Sequence, residues 1–452
     1  MSWKEAKKLG DSLHRPAFSV KINSMTQLSQ TNLLRELEPI FYPKSIAVVG
    51  VSQNMMKAGS FWFKTIVDAG FEGNVYPVNP KGGEFMGRKV YPSLKAIPGS
   101  VDYVIVSIPR EAVPSLLDDC ADKKVKAIHF FTAGFSELGD SSGHKLEQEL
   151  IEKARGGGFR IIGPNCIGIY CPESRVPYGP GGKIGKIGSV GFISQSGGIG
   201  EKLVELGTAR GINYNKGISF GNGIDLDSAD FMEYMAADPK ISIIGAYLEG
   251  TRNGRRLFGA MKAVAQVKPL IVWKAGRTDV GAAAALSHTG SIASSPAIWS
   301  AVLRQCGAIE VSSVEELADT LLIFQQLGHY KGSGGGVAIV GGMADGGGGI
   351  SVSASDTCAS HGLHIPPLST ETRQKLAGLL GQVGSILLNP VDVSQSGSDP
   401  SKIKKALNFI LAESSIDLVI IQMDVGILLK YLPWSIIHAI IDVFIDLRTG
   451  QN

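Results

Sequence analysis

The sequence predicts an α/β protein in which one doubly wound design is used three times. Three observations carry this. Short apolar runs bounded by turn residues alternate with helix-length segments, the pattern of a parallel sheet covered by helices. The 57 glycines fall largely just after those runs, where α/β proteins turn from strand to helix. The cycle restarts after each of two glycine-rich stretches, although no repeat is strict enough for a solenoid.

The first 34 residues are polar and weakly periodic and are expected to form a tail that docks or stays loose. The first cycle opens with the strand Ser45-Ile-Ala-Val-Val-Gly50 and continues with strands at Asn74–Val78, Tyr103–Ser107, Ala127–Phe131 and Phe159–Ile162. Helices are expected at Arg110–Lys123 and Gly143–Arg155. Pro177–Gly188 has the glycine and proline content of a linker. A second cycle follows, with strands at Ser189–Ser194, Asn215–Phe220, Ile241–Leu248 and Pro269–Lys274. The turn Gln195-Ser-Gly-Gly198 is followed by a helix expected to run to about Arg210, and another is expected over Val314–Leu327. Lys331–Gly336 is a second linker, and Val337-Ala-Ile-Val-Gly-Gly342 opens the third cycle.

Composition limits the function. The 452 residues suffice for two to four domains, and a net charge of +3 argues against a nucleic-acid binder, which would carry a concentrated basic face. Five scattered cysteines indicate a reduced, cytoplasmic setting in place of a disulfide framework. No secretory signal or membrane-spanning run is evident, so a soluble protein is expected. Cys358, His361 and His364 lie close in sequence, but Gly362 and Pro366-Pro367 break the segment and no fourth ligand or zinc spacing appears. No metal site is expected in this chain.

Each glycine turn exposes backbone N–H groups at a helix N-terminus, where the dipole favours anions. The same turns are also simply how α/β folds change direction, and both readings stay open for any one of them. At the first turn a nicotinamide dinucleotide is disfavoured. Gly50-Val-Ser-Gln-Asn-Met-Met-Lys-Ala-Gly59 is not G-x-G-x-x-G, and the second strand ends in Asn79-Pro80-Lys81 with no acid for a ribose hydroxyl. A lysine at that position suits a phosphate.

The most informative stretch is Lys274 to Ser291, where His288 sits among small residues directly after a strand. Small neighbours leave an imidazole uncovered, and nearby hydroxyls and amides, Thr289 and Gly290 among them, are able to hold an oxyanion. That setting suits a histidine acting as a nucleophile toward phosphorus. The plainer reading is that His288 caps a helix near Pro296 or is merely exposed.

Several motifs occur in one order: Pro43-Lys-Ser-Ile-Ala-Val-Val-Gly-Val-Ser52, Val75-Tyr-Pro-Val-Asn-Pro-Lys81, Ile161-Ile-Gly-Pro-Asn-Cys-Ile-Gly168 and Ser194-Gln-Ser-Gly-Gly198. Tyr247-Leu-Glu-Gly250, Lys274-Ala-Gly-Arg277, Ser287-His-Thr-Gly290 and Asn389-Pro-Val-Asp392 complete the set. From about Leu34 to about Asp417 this order resembles the alpha subunit of the NDP-forming acyl-CoA synthetases, such as the ADP-forming acetate–CoA ligases, relatives of succinyl-CoA ligase. The resemblance implies a tail (1–34), a Rossmann-like CoA-binding domain (35–176), a flavodoxin-like domain bearing the phosphohistidine loop (177–330) and a second flavodoxin-like domain (337–452). It also implies interconversion of acyl-CoA, phosphate and ADP with a carboxylic acid, CoA and ATP.

In that family His288 matches the phosphorylated histidine, and Glu249 is placed to hydrogen-bond its second imidazole nitrogen. Segments matching the family's CoA site contribute Gly50, Val51, Ser52, Lys81, Ile108, Pro109, Thr132, Ala133, Gly134, Asn165 and Cys166. Cys166 matches a structural position, not a nucleophile. The phosphoryl group would lie against Ser194, Gln195, Ser196, Gly197, Gly198, Thr289 and Gly290. ATP or ADP and Mg²⁺ would be held by an ATP-grasp beta subunit in a hetero-oligomer with a dimeric alpha core, and no nucleic acid or membrane partner is implied. The chain departs from the family in three ways: it has no ATP-grasp region, its third turn Gly341–Gly349 lacks the Asn-Ala-Gly-Gly-Pro form, and after Gln422 the sequence is unusual and stops where another strand is expected, so that an incomplete third domain, an apolar edge offered to a partner and a different closure all stay open. The alternative is a non-catalytic CoA or acyl-CoA sensor on the same fold.

Overall fold

The computed structural model describes residues 24–139, 141–278, 280–281, 296–328, 335–343, 348–381 and 386–449. The chain forms two compact units, Met1–Gly328 and His329–Asn452.

The first unit holds two sheets. β1 (Ser45–Val49), β2 (Asn74–Val78), a small antiparallel hairpin of β3 (Glu84–Phe85) and β4 (Arg88–Lys89), β5 (Tyr103–Val106), β6 (Ala127–Phe130) and β7 (Arg160–Ile162) come first. All but the hairpin make a parallel sheet of order β2-β1-β5-β6-β7. All residues of β1, β5 and β6 are buried, as expected for a sheet with both faces covered. The order reverses at β1, and ligands in such sheets bind beyond the strand ends at that reversal.

β8 (Gly168–Tyr170), β9 (Val190–Ser194), β10 (Tyr214–Ser219), β11 (Ile243–Leu248), β12 (Leu270–Lys274) and β13 (Ile309–Val311) form the second sheet, in the order β13-β12-β11-β9-β10-β8. Pairing is parallel except where β8 lies antiparallel on β10. Here the reversal falls at β9, whose neighbours are β10 and β11. Neither β8 nor β13 was foreseen; each is three residues with its apolar run broken, by Gly168 and by Glu310.

One apolar core runs through both sheets, taking Ile46 and Tyr103 from the first and Ile193 and Ile244 from the second. It also includes Leu37, Ile40 and Phe41 from the helix Ser24–Phe41, which begins inside the stretch expected to be a tail. The expected linker at 177–188 is also packed. Tyr178 is 2% exposed, its ring lies 5.4 Å from that of Phe192, and its hydroxyl donates to the Gly197 carbonyl at 3.2 Å. Glycine and proline content marked the irregular path but not the aromatic that anchors it.

In the second unit, β14 (Val337–Met343) pairs in parallel with β15 (Val391–Asp392) and β16 (Leu418–Met423). The helices Thr370–Leu380, Pro400–Leu411 and Trp434–Thr449 cover one core, through Leu376, Ile403, Leu407 and Ile440. After β16, in the stretch singled out as unusual, the chain forms the helices Val425–Tyr431 and Trp434–Thr449. The spacing of Ile437, Ile440 and Val443, all buried, is helical and not alternating.

Candidate functional site

At the first reversal, the amides of Gly50 and Val51 both donate to the Val78 carbonyl, at 3.0 and 3.3 Å. Gly50 has φ +106°, and a Cβ there would sit 2.2 Å from the Ser107 carbonyl oxygen, so the turn excludes other residues. The next helix, Ala58–Asp68, is locked to this turn: Ser60 Oγ receives the Ser52 amide at 2.9 Å and donates to the Ser52 carbonyl at 2.7 Å. Asn79 Nδ2 donates to the Val51 carbonyl at 2.7 Å, and the Lys81 amide returns to Asn79 Oδ1 at 3.0 Å. Lys81 itself is exposed.

Beside it, Thr132 Oγ1 donates to the Ile108 carbonyl at 2.8 Å, next to Pro109, and Arg110 donates to the Gly134 carbonyl. Gly50, Val51, Ser52, Ile108, Pro109, Thr132, Ala133 and Gly134 are thus arrayed along the C-terminal ends of β1, β5 and β6. The Asn165 amide donates to the Thr132 carbonyl at 3.1 Å, which brings the end of β7 into the same row. Cys166 is 4% exposed, and burial pushes its thiol pKa upward, so it is held as a neutral thiol.

At the second reversal, Ser196 caps the helix Gly197–Ala209, its Oγ accepting the Ile199 amide at 3.4 Å. Ser194 is buried and donates its hydroxyl to the Ser196 carbonyl at 2.6 Å, so it shapes the turn from behind. Gln195 crosses to β11: its amide donates to the Tyr247 carbonyl at 3.0 Å, and its Oε1 accepts the Glu249 and Gly250 amides at 2.8 and 3.0 Å. Glu249 is 7% exposed and accepts the Tyr247 hydroxyl at 3.1 Å. Lys274, at the end of β12, is also buried; burial lowers its ammonium pKa, and the Glu249 carboxylate opposes that shift. His288, Thr289 and Gly290 lie outside the described residues.

The two rows meet at one cavity of about 390 Å³. Ala133, Asn165 and Cys166 line it from the CoA-type candidates, and Gln195, Ser196, Gly197 and Gly198 from the phosphate-type turn. Gly50, Val51, Ser52, Lys81, Ile108, Pro109, Thr132 and Gly134 do not line this cavity, and neither does Ser194.

The remaining walls were not foreseen: Phe131, Ile167, Gly221 and Asn222. Phe220-Gly-Asn-Gly223 follows β10, and a polar residue between glycines at a strand end was the available signal. The loop is stitched to the first sheet, the Asn222 amide reaching the Pro164 carbonyl at 3.0 Å and the Ile224 amide reaching that of Gly163 at 3.2 Å. Gly221 has φ +52°, and a Cβ there would lie 2.2 Å from the Pro164 carbonyl oxygen.

The cavity therefore joins a strand-end row typical of dinucleotide-like ligands to a helix N-terminus suited to an anion. Residues 44–172 match the model of the CoA binding domain, and residues 187–324 that of the succinyl-CoA ligase like flavodoxin domain. The chain is 38% identical over 364 residues to the acetate–CoA ligase [ADP-forming] I subunit alpha of Pyrococcus furiosus, covering 79% of this chain and 76% of that one. It is 36% identical over 417 residues to the corresponding II subunit alpha of the same organism, covering 92% and 88%. It spans about half, 54%, of the acetate–CoA ligase [ADP-forming] I of Archaeoglobus fulgidus, at 37% identity. The fold is similar to the dinucleotide forming acetyl-coenzyme A synthetase 1 of Ca. Korarchaeum cryptofilum in complex with phosphate and ADP. That match has a TM-score of 0.79 and 33% identity, over 91% of this chain and 86% of that one. Matched to two alpha subunits over more than three quarters of their length, the chain belongs to the family of ADP-forming acetate–CoA ligases.

Proposed function

We propose that the chain is the alpha component of an ADP-forming acyl-CoA synthetase, interconverting acyl-CoA, phosphate and ADP with a carboxylic acid, CoA and ATP by way of a phosphohistidine at His288. The observation that carries this reading is the shared cavity: CoA-type residues Ala133, Asn165 and Cys166 face the anion-type turn Gln195–Gly198 across one space of about 390 Å³.

The chemistry follows from that juxtaposition. A phosphate oxygen attacks the thioester carbonyl of acyl-CoA; the C–S bond breaks, the thiolate leaves and takes a proton, and acyl phosphate forms. Amides of the helix Gly197–Ala209 stabilise the charge that gathers on phosphate and carbonyl oxygen. A ring nitrogen of His288 then attacks phosphorus and expels the carboxylate. Glu249 fixes the tautomer by accepting a hydrogen bond from the N–H of the other ring nitrogen, as carboxylates do for catalytic imidazoles. Finally, a terminal oxygen of ADP takes the phosphoryl group, regenerating His288.

The nucleotide site belongs, in this reading, to an ATP-grasp beta partner that also holds Mg²⁺, which supplies charge neutralisation for phosphoryl transfer. The assembly is a hetero-oligomer around paired alpha components, acting on a small carboxylic acid. A cytoplasmic location is supported by the five cysteines, all free and buried. Among the described residues no helix is long and apolar enough to cross a membrane.

The test is phosphoryl labelling. The chain mixed with its ATP-grasp partner, Mg²⁺ and γ-labelled ATP should acquire an acid-labile, base-stable label that His288→Ala abolishes. Labelling that survives in His288→Ala removes this residue from the mechanism, and CoA binding without any turnover points to the sensor.

A further inference from the structure

Asn222 has no role in the reaction as set out above, yet it is among the most constrained side chains at the cavity. It is 5% exposed. Its Nδ2 donates to Glu137 Oε2 at 2.7 Å and to Glu147 Oε1 at 3.1 Å. Carboxylate oxygens only accept, so the amide nitrogen must face them and the orientation of the carboxamide is fixed. Glu137 in turn receives the amides of Gly134 at 2.6 Å and Phe135 at 3.1 Å, which couples Asn222 to the Thr132–Gly134 turn. Glu147 also accepts from Arg252 at 3.0 Å. What remains is Asn222 Oδ1, shielded from solvent and without a hydrogen-bond partner. A buried acceptor left unsatisfied is costly, and such groups in native proteins call for an explanation.

The residue lines the cavity together with Ala133, Cys166 and Gln195. An acceptor there selects for a donor. Phosphate, a carboxylate and an acyl phosphate present only, or chiefly, acceptor oxygens at neutral pH, and they are served by the helix N-terminus at Gly197, which lines the same cavity. A pantetheine arm, by contrast, carries a secondary amide N–H two methylenes from its thiol, and the walls at Ala133, Cys166 and Ile167 suit those methylenes.

We propose that Asn222 Oδ1 accepts a hydrogen bond from the amide N–H nearest the thiol of CoA, and thereby sets how far the sulfur reaches toward the Gln195–Gly198 turn. This rests on the CoA reading above and assigns the thiol end of that ligand. Donation satisfies the one open valence of Asn222, so affinity and sulfur placement come from the same contact.

The test is calorimetric titration of the full chain with CoA and with a CoA analogue bearing an ester in place of that amide, which removes the N–H and little else. The wild-type chain should bind the ester about tenfold more weakly, the loss expected when a buried acceptor stays unpaired. Asn222→Ala should bring the ratio near one. Because Asn222→Ala also strips a donor from Glu137 and Glu147, the wild-type ratio carries the test even if that variant unfolds. Equal wild-type affinity for both ligands overturns the assignment and leaves CoA binding standing; no wild-type affinity for CoA overturns both. If Asn222→Ser alters the preference for hydroxylated acids while the CoA-to-ester ratio is unchanged, the oxygen faces the acyl group and the assignment is likewise overturned.

Discussion

Gln195 holds Glu249 by its backbone: its side-chain oxygen accepts the backbone amides of Glu249 at 2.8 Å and Gly250 at 3.0 Å. One buried side chain therefore sets the distance between the helix N-terminus after β9 and the acid at the end of β11. Replacing it with leucine leaves two buried N–H groups unpaired, each costing about 1–3 kcal/mol. We expect Gln195→Leu to lower stability by about 2–5 kcal/mol in urea unfolding and to depress phosphoryl labelling in the fraction that remains folded. A stability change under about 0.5 kcal/mol would show that the amides find other partners.

His129 ties acid stability to the site. It is 1% exposed, packed edge-on against Trp62 and beside Tyr103, and its Nε2 lies 3.0 Å from the Cys166 carbonyl. Since that partner can only accept, Nε2 carries the proton of a neutral ring. Burial lowers its pKa from 6.5 to about 4. The unfolded chain therefore binds more protons between those two values, and stability falls as pH drops from about 6.5 to about 4. About 3 kcal/mol is at stake. Denaturant midpoints measured at pH 7, 5.5 and 4.5 should fall steadily in the wild type and more shallowly in His129→Gln. Parallel slopes in the two proteins would place the acid sensitivity elsewhere.

Much of this was legible in the sequence, and the failures have physical causes. Buried strands such as Ser45–Val49 and helices with a clear apolar face such as Val314–Leu327 fell where the pattern placed them, because an unbroken apolar run and a helical spacing are both strong signals. β8 and β13 were missed because each short apolar run is broken, by Gly168 and by Glu310, where the equally short β7 is not, and their pairing is decided by distant strands. At the site, Gln195, Glu249 and the Gly197–Gly198 turn stood out as strand-end motifs. Asn222 did not, since its importance comes from Glu137 and Glu147, 85 and 75 residues away in sequence. Sequence order conveys strand ends well and convergent side chains poorly.

The first turn offers a steric test. A Cβ at Gly50 would lie 2.2 Å from the Ser107 carbonyl oxygen, and the backbone there has φ +106°. Gly59, at the start of the next helix, is equally confined, its Cβ falling 2.6 Å from the Gly50 carbonyl oxygen. Neither neighbour is the far end of a flexible side chain, so the backbone itself must shift. Gly50→Ala should cost about 1–3 kcal/mol, the range for strain at a special backbone position. CoA affinity in calorimetry should fall with it, and a variant of normal stability would mean that the turn relaxes freely.

Glu249→Gln separates charge from shape at the acid. Glutamine keeps an oxygen for the Tyr247 hydroxyl, now 3.1 Å from the carboxylate, and the backbone bond to Gln195 is untouched, so the fold should hold to within about 1 kcal/mol. The negative charge is what disappears. Its loss removes the group that opposes the lowering of the Lys274 pKa, so the lysine should release its proton at a lower pH than in the wild type. It also removes the acceptor strength proposed to orient His288. Quench-flow measurement of the labelled reaction should find phosphorylation slowed on the order of 100-fold, with CoA affinity unchanged, the size of effect expected for losing a positioned acid–base group. A wild-type labelling rate in Glu249→Gln would confine the carboxylate to a structural part, such as its bond from the Tyr247 hydroxyl.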